Sequence, residues 1–164
     1  MLNPYQKIFK AFDRKKIKYL IVGGVAVNLY GYSRFTGDID ILISLDQENL
    51  DAMEKLMHQM GYIERLPITL KSLHDTQQVK KWLKEKNMTA YTFISKSSPQ
   101  LDIDILVENS IDFKNFYKRK SFIKIWDIKA PVISIDDLIK MKKKARRDKD
   151  LLDIKALLQL KANE

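Results

Sequence analysis

The sequence predicts a single α/β domain over residues 1–164, a mixed β-sheet flanked by helices with a helical C-terminal part over residues 135–164. Three observations predict it. A short β-branched run, Tyr19-Leu20-Ile21-Val22, stops at Gly23-Gly24, as a buried strand entering a tight turn does. Two later runs, Asp38-Ile39-Asp40-Ile41-Leu42-Ile43 and Leu101-Asp102-Ile103-Asp104-Ile105-Leu106-Val107, alternate acidic and aliphatic residues with the period of a strand. Helical patterns lie between and after them, with no repeat, linker or low-complexity segment to divide the chain.

The elements follow in order. Pro4 to Lys16 reads as a helix with proline near its start, leading into a strand from Lys18 to Val22. Val25 to Tyr30 has the length of a short helix that Gly31 ends. After the Asp38 strand, Gln47 to Met60 places Leu50, Met53, Leu56, Met57 and Met60 on one stripe, with Gly61 as the C-terminal cap. Leu73 to Lys86 is a weaker helix. Thr89 to Ile94 and Leu101 to Val107 form a hairpin across the turn-rich Ser95-Lys96-Ser97-Ser98-Pro99-Gln100. Ser121 to Ile128 is one more strand, and Ser134-Ile135-Asp136-Asp137 opens two helices broken near Arg147.

The alternation places Asp38 and Asp40 on one face, about 7 Å apart at their Cα atoms. Held that close in an apolar strand, two carboxylates need a cation or a solvent-filled cleft. If the second acidic strand lies alongside, three or four carboxylates converge, an oxygen-only donor set suited to Mg²⁺ or Mn²⁺. Zinc is not expected, because the chain has no cysteine and its two histidines, His58 and His74, lack metal-ligand spacing. Gly23-Gly24 lets backbone approach a phosphate closely, and the amides opening the next helix point toward an anion. This order of glycine turn, helix and paired aspartates suggests a site for a metal ion and a nucleoside triphosphate. Arg34 and Thr36 lie in the loop that delivers the chain into the Asp38 strand and border that site.

The net charge of +9 is unevenly spread. Lys140 to Lys149 is nearly all basic, and Lys142, Lys143, Lys144 and Arg146 form a candidate seat for a phosphate-rich acceptor. Phe113, Phe116, Tyr117, Phe122 and Trp126 lie near a second basic cluster, where core packing is the default reading and base stacking the functional one. The basic start followed by an apolar run imitates a signal peptide, but Tyr5, Ile8, Phe9 and Phe12 fall at helical spacing and no small-residue cleavage site follows. No stretch approaches the roughly 20 apolar residues of a membrane span. A cytoplasmic protein without membrane attachment is expected.

Gly23-Gly24, a helix, Asp38-Ile39-Asp40 and a later acidic strand residue together resemble the DNA polymerase β-type nucleotidyltransferase superfamily. With Arg34-Phe35-Thr36 ahead of the aspartates and Arg147-Asp148-Lys149-Asp150 near the end, the chain is similar to the small bacterial branch that includes AbiEii-type toxins and aminoglycoside nucleotidyltransferases. The resemblance implies a nucleotidyltransferase fold and transfer of an NMP from an NTP to a hydroxyl acceptor, with release of pyrophosphate. It implies that Asp38 and Asp40 hold Mg²⁺ or Mn²⁺, joined by Asp102 or Asp104. Family order favours Asp104 as the third catalytic carboxylate, since Ile105-Leu106 follows it directly. Arg147 and Lys149 are implied to contact phosphate, and Asp150 to organise the turn. Many relatives carry Gly-Ser where this chain has Gly23-Gly24, so here the triphosphate would be gripped by backbone donors. Asp148 stands where proline is common.

An RNA- or tRNA-modifying, toxin-like enzyme with a cognate antitoxin is the favoured reading, because a basic surface suits RNA better than a cationic aminoglycoside. An antibiotic-modifying nucleotidyltransferase is one alternative. A catalytically silent nucleotide- or RNA-binding module is the other, suggested by Gly24.

Overall fold

Local capping fixes the helix starts. Gln6 N–H donates to the Asn3 side chain at 2.8 Å to open α1 (Pro4–Arg14), which buries Ile8, Phe9 and Phe12. In the computed structural model, which describes residues 3–97 and 101–164, α1 leads into the wholly buried strand β1 (Tyr19–Val22). The helix α2 (Gly23–Tyr30) begins two residues earlier than its sequence pattern suggests, because Gly23 turns the corner itself with φ +63°. Gly31, at φ +118°, ends it. Asp38 lies just ahead of β2 (Ile39–Ile43) rather than within it.

Asp46 caps α3 (Gln47–Gln59), and Gly61 at φ +83° follows its end. A short strand not marked by alternation, β3 (Tyr62–Glu64), comes next. The expected helix from Leu73 divides into a 3₁₀ turn, Leu70–His74, and α4 (Thr76–Lys86), because the Asp75 side chain accepts from the Gln77 and Gln78 amides and starts a new helix. Strands β4 (Ala90–Ser95) and β5 (Ile103–Leu106) pair antiparallel as the hairpin pattern predicts. Residues 98–100 of the expected turn lie outside the described residues.

Two short helices, α5 (Val107–Ile111) and α6 (Phe113–Lys118), fill the stretch for which the sequence gives no element. The single strand expected from Ser121 to Ile128 is a hairpin of β6 (Ser121–Ile125) and β7 (Ile128–Val132), since Trp126 turns back with φ +53°. The helices α7 (Ile135–Ala145), capped by Ser134, and α8 (Asp148–Ala162) form the C-terminal pair, broken at Arg146 with φ +54°.

The strands form one mixed sheet in the order β3-β4-β5-β2-β1-β7-β6. β2 runs antiparallel to β1 and parallel to β5, so it stands at the centre with both acidic runs side by side. Its aliphatic partners Ile39, Ile41 and Ile43, with Ile103 and Ile105, are fully buried. Burying such side chains is worth about 1.5–3 kcal/mol each. The core therefore fixes which way the intervening aspartates must face.

Candidate active site

Asp40 and Asp104 are paired residues on the neighbouring parallel strands β2 and β5. Asp38 precedes β2, and the amide of Ile39 donates to the Asp102 carbonyl at 3.0 Å, which ties the start of one acidic run to the other. Burial, followed by the charges of Asp104 and Asp38, pushes the Asp40 carboxyl up to about 6. Arg147 and Lys142 pull it the other way. Asp38 is raised as well, by burial and by Asp104 and Asp102, against Arg65 and Lys149. Carboxylates that raise one another in this way fit a divalent cation held by hard oxygen donors. Asp38, Asp40 and Asp104 would hold it.

The two β5 aspartates have different surroundings. Asp104 accepts from the Thr92 hydroxyl at 2.5 Å, which orients its carboxylate on the acidic face. Asp102 accepts from the Ser95 amide at 3.1 Å and meets Arg65 at 3.5 Å. Asp104 thus stands beside Asp40, and Asp102 is bound into the β4–β5 hairpin.

Gly23 and Gly24 have separate steric roles. A Cβ on Gly23 would fall 2.2 Å from Asp40 Oδ2, so glycine is required where α2 begins against the carboxylate. A Cβ on Gly24 would fall 2.5 Å from Thr36 Oγ1 and 3.1 Å from Arg34 Nη2. The Thr36 hydroxyl therefore occupies the space into which any side chain at position 24 would project. The loop is pinned from several sides: Arg34 N–H donates to Asn28 Oδ1 at 3.1 Å, and Tyr5 OH to the Thr36 carbonyl at 3.3 Å. On its outer side Arg34 and Thr36 wall a 510 Å³ cleft with Tyr5, Trp126 and Phe35, the last 90% exposed.

Arg34 is held by Asp153 of α8 through two hydrogen bonds, at 2.7 and 2.8 Å. Asp153 also meets Lys142 at 2.9 Å, and Lys142 meets Asp150 at 3.4 Å. Arg147 closes the chain of charges onto Asp150 at 2.8 Å, with Asp150 capping the start of α8. Lys142, Asp150 and Asp153 are all buried. Burial raises both carboxylates, but Arg147 and Lys142 at Asp150, and Arg34 and Lys142 at Asp153, outweigh it and leave both below the usual range.

This corrects the reading of the basic run. Lys142 is buried rather than exposed, because α7 turns it inward onto two buried carboxylates. Lys143, Lys144, Arg146 and Lys149 are exposed, and Lys144 pairs with Glu108 at 3.2 Å. Of the aromatic residues, Phe113 is buried, while Phe122 and Trp126 are exposed. Sequence reasoning missed Thr92, Arg65 and Asp153. Only Asp153 had a signal, its spacing of one helical turn from Asp150.

A family match over most of the chain makes the protein a nucleotidyltransferase, an enzyme of the transferase class. A family model described as "Nucleotidyl transferase AbiEii toxin, Type IV TA system" matches residues 8–164, and the chain belongs to that family. A search among curated proteins finds no match. Among solved structures, the chain is similar to the lincosamide antibiotic adenylyltransferase LnuA in its lincomycin-bound form. The two share 20% identity over 94% of each chain, with a TM-score of 0.62. An antigenic nucleotidyltransferase-like protein from Paracoccidioides brasiliensis shares 14% identity over 94% of this chain and 73% of its own, with a TM-score of 0.64. ANT(2")-Ia in complex with adenylyl-2"-tobramycin shares 15% identity over 94% and 86% of the two chains, with a TM-score of 0.56. No helix among the described residues is long and apolar enough to cross a membrane.

Proposed function

We propose that the protein moves an NMP from an NTP to a hydroxyl of an RNA acceptor, with Mg²⁺ or Mn²⁺ held by Asp38, Asp40 and Asp104. The observation that carries this reading is the pairing of Asp40 with Asp104 on adjacent strands, with Asp38 close by on the same acidic face. The metal, when bound, neutralises charge on the triphosphate and on the departing pyrophosphate. Gly23 and Gly24 bring the start of α2 up against Asp40 and Thr36, so that its backbone amides would lie near the phosphates. Arg34, preset by Asp153, and the Thr36 hydroxyl border the same turn. Arg147 and Lys149 add positive charge from the far side.

Asp104, oriented by Thr92, accepts the proton of the acceptor hydroxyl. The acceptor oxygen then bonds to the α-phosphorus, the bond from that phosphorus to the bridging oxygen breaks, and pyrophosphate leaves with the electron pair. Asp102 shapes the hairpin beside this step rather than performing it.

A toxin–antitoxin setting, with a cognate antitoxin, is supported by the family description, and the cytoplasm is the proposed location. The second reading is antibiotic modification, favoured by the likeness to the lincomycin-bound and tobramycin-modifying enzymes. Transfer from NTPs labelled at the α-phosphate, with and without Mg²⁺, to total tRNA, protein, tobramycin and lincomycin separates the two. Label on tRNA supports the proposal, and label on either antibiotic alone overturns it in favour of the second reading. Absence of metal-dependent transfer to any of them leaves a silent binding module.

A further inference from the structure

We propose that a second cleft, on the β4 side of the acidic face, seats the acceptor nucleotide of the RNA. This deepens the proposed function and rests on its assignment of Asp104 to the acceptor hydroxyl. The cleft has a volume of 470 Å³, within the range of small-ligand pockets, and its lining includes Arg65, Trp82, Lys86, Asn87, Thr89 and Thr92. It forms because β3 pairs with β4 only along Tyr62–Glu64. After the Arg65 amide donates to the Thr92 carbonyl at 3.0 Å the chain turns away, and the Tyr91 hydroxyl ties the displaced segment down at the Ile68 carbonyl. The end of α4, closed by Asn87 at φ +49°, walls the other side.

Two lining side chains reach the acidic face directly. Thr92 donates to Asp104 at 2.5 Å, and Arg65 meets Asp102 at 3.5 Å. A ligand in the cleft therefore lies next to the carboxylate that takes the acceptor's proton. The lining chemistry names the class of ligand. Arg65 and exposed Lys86 bring two positive charges, and the lining residues include no carboxylate. A cationic aminoglycoside would meet Lys86 and an Arg65 only partly offset by Asp102 beyond the lining, whereas a backbone phosphate is drawn to Lys86. Half-buried Trp82 offers an indole face to a base, and Asn87 and Thr89 offer hydrogen-bonding groups to its edges or to a ribose. Phosphate, base and sugar are thus all provided for at the acceptor end of the site. The basic run of α7 lies on a different element and is not needed for this binding.

Trp82 and Trp126 are the two tryptophans of the chain, so Trp126→Phe leaves Trp82 as the single indole reporter. Titrating this protein with total tRNA is expected to quench Trp82 fluorescence. Adding Lys86→Glu, a change on an exposed helix end, weakens tRNA binding on the order of tenfold and lowers its salt slope by about 0.7 for each single-strand phosphate that is no longer neutralised. Arg65→Gln acts in the same direction. Free AMP displacing tRNA only at far higher concentration supports an RNA chain as the occupant, and AMP binding as tightly as tRNA overturns that part. Quenching by tobramycin that strengthens with Lys86→Glu, or tRNA affinity and slope unchanged by both substitutions, overturns the proposal. Mn²⁺-dependent NTP binding is measured in the same proteins without RNA. Its absence in the wild type as well strikes the proposed nucleotidyl transfer, while the tRNA titration decides the cleft.

Discussion

Arg34 and Asp153, 119 residues apart, are joined side-on by two hydrogen bonds of 2.7 and 2.8 Å, so the loop before β2 and the last helix are one unit. The guanidinium also donates to the Phe35 carbonyl at 2.9 Å, which fixes its plane. With five N–H donors on an arginine, two remain for a phosphate, and Nη2 already lies beside Gly24. The carboxylate thereby presets the donor instead of competing for it, and a preset donor loses little freedom when it binds.

Asp153→Asn keeps the shape and removes the charge. Lys142 then retains Asp150 alone, and Arg34 loses its charged partner. Breaking a buried pair from one side costs about 3–5 kcal/mol. Urea unfolding should show that loss, and the apparent NTP requirement should rise with it. A midpoint and KM equal to wild type would mean that Asp153 neither anchors the helix nor positions Arg34.

The same network gives the fold an acid-sensitive seam. Asp150 and Asp153 have folded pKa values below the unfolded carboxylate value of about 3.9, because Arg34, Lys142 and Arg147 face them. Depressed carboxylates contribute stability that is present above the unfolded value and lost as pH falls through the folded one. Melting temperature should therefore drop from about pH 5 downward, and less steeply in Asp153→Asn. Parallel acid slopes for the two proteins would place the sensitivity elsewhere.

Gly24→Ser tests the close approach to Thr36. Its Cβ meets Thr36 Oγ1 at 2.5 Å, so the single change should displace the loop and weaken NTP binding. Gly24→Ser with Thr36→Gly removes both Thr36 contacts, at 2.5 and 2.9 Å, while returning one hydroxyl to the turn, and should recover most of the affinity. If the pair behaves as the sum of two independent losses, Thr36 does not fill the position that residue 24 leaves open.

Arg34→Lys keeps the charge but cannot reproduce the paired hydrogen bonds to Asp153. NTP affinity should fall several-fold in equilibrium binding, with stability falling alongside. Unchanged binding would return Arg34 to a purely structural role.

The strands that carry aspartates were legible because alternation with buried isoleucines leaves one orientation, as Ile39, Ile41, Ile103 and Ile105 show. The break near Arg147 and the Ser134 cap were legible from local chemistry alone. What escaped was set by distant contacts. Lys142 has the sequence context of a solvated basic run, and only the packing of α7 on α8 turns it inward. The turn at Trp126 adopts a backbone conformation that its residue type does not advertise, so the pattern reads as one strand through it to Ile128 and the rest of β7 is missed. Thr92 is an ordinary strand threonine until register places it opposite Asp104.

In the proposed reaction Asp104 joins the metal site but acts chiefly on the acceptor, while Asp38 and Asp40 carry the metal that accompanies the nucleotide. Single-turnover transfer from α-labelled NTP to tRNA in Asp104→Asn and Asp102→Asn, with Mn²⁺-dependent NTP binding measured in both, separates these roles. Asp104→Asn should lose on the order of 10²–10⁴ in rate with NTP binding within a few-fold of wild type, and Asp102→Asn should be milder. Transfer at the wild-type rate by Asp104→Asn, or a larger loss in Asp102→Asn, would contradict this division of labour.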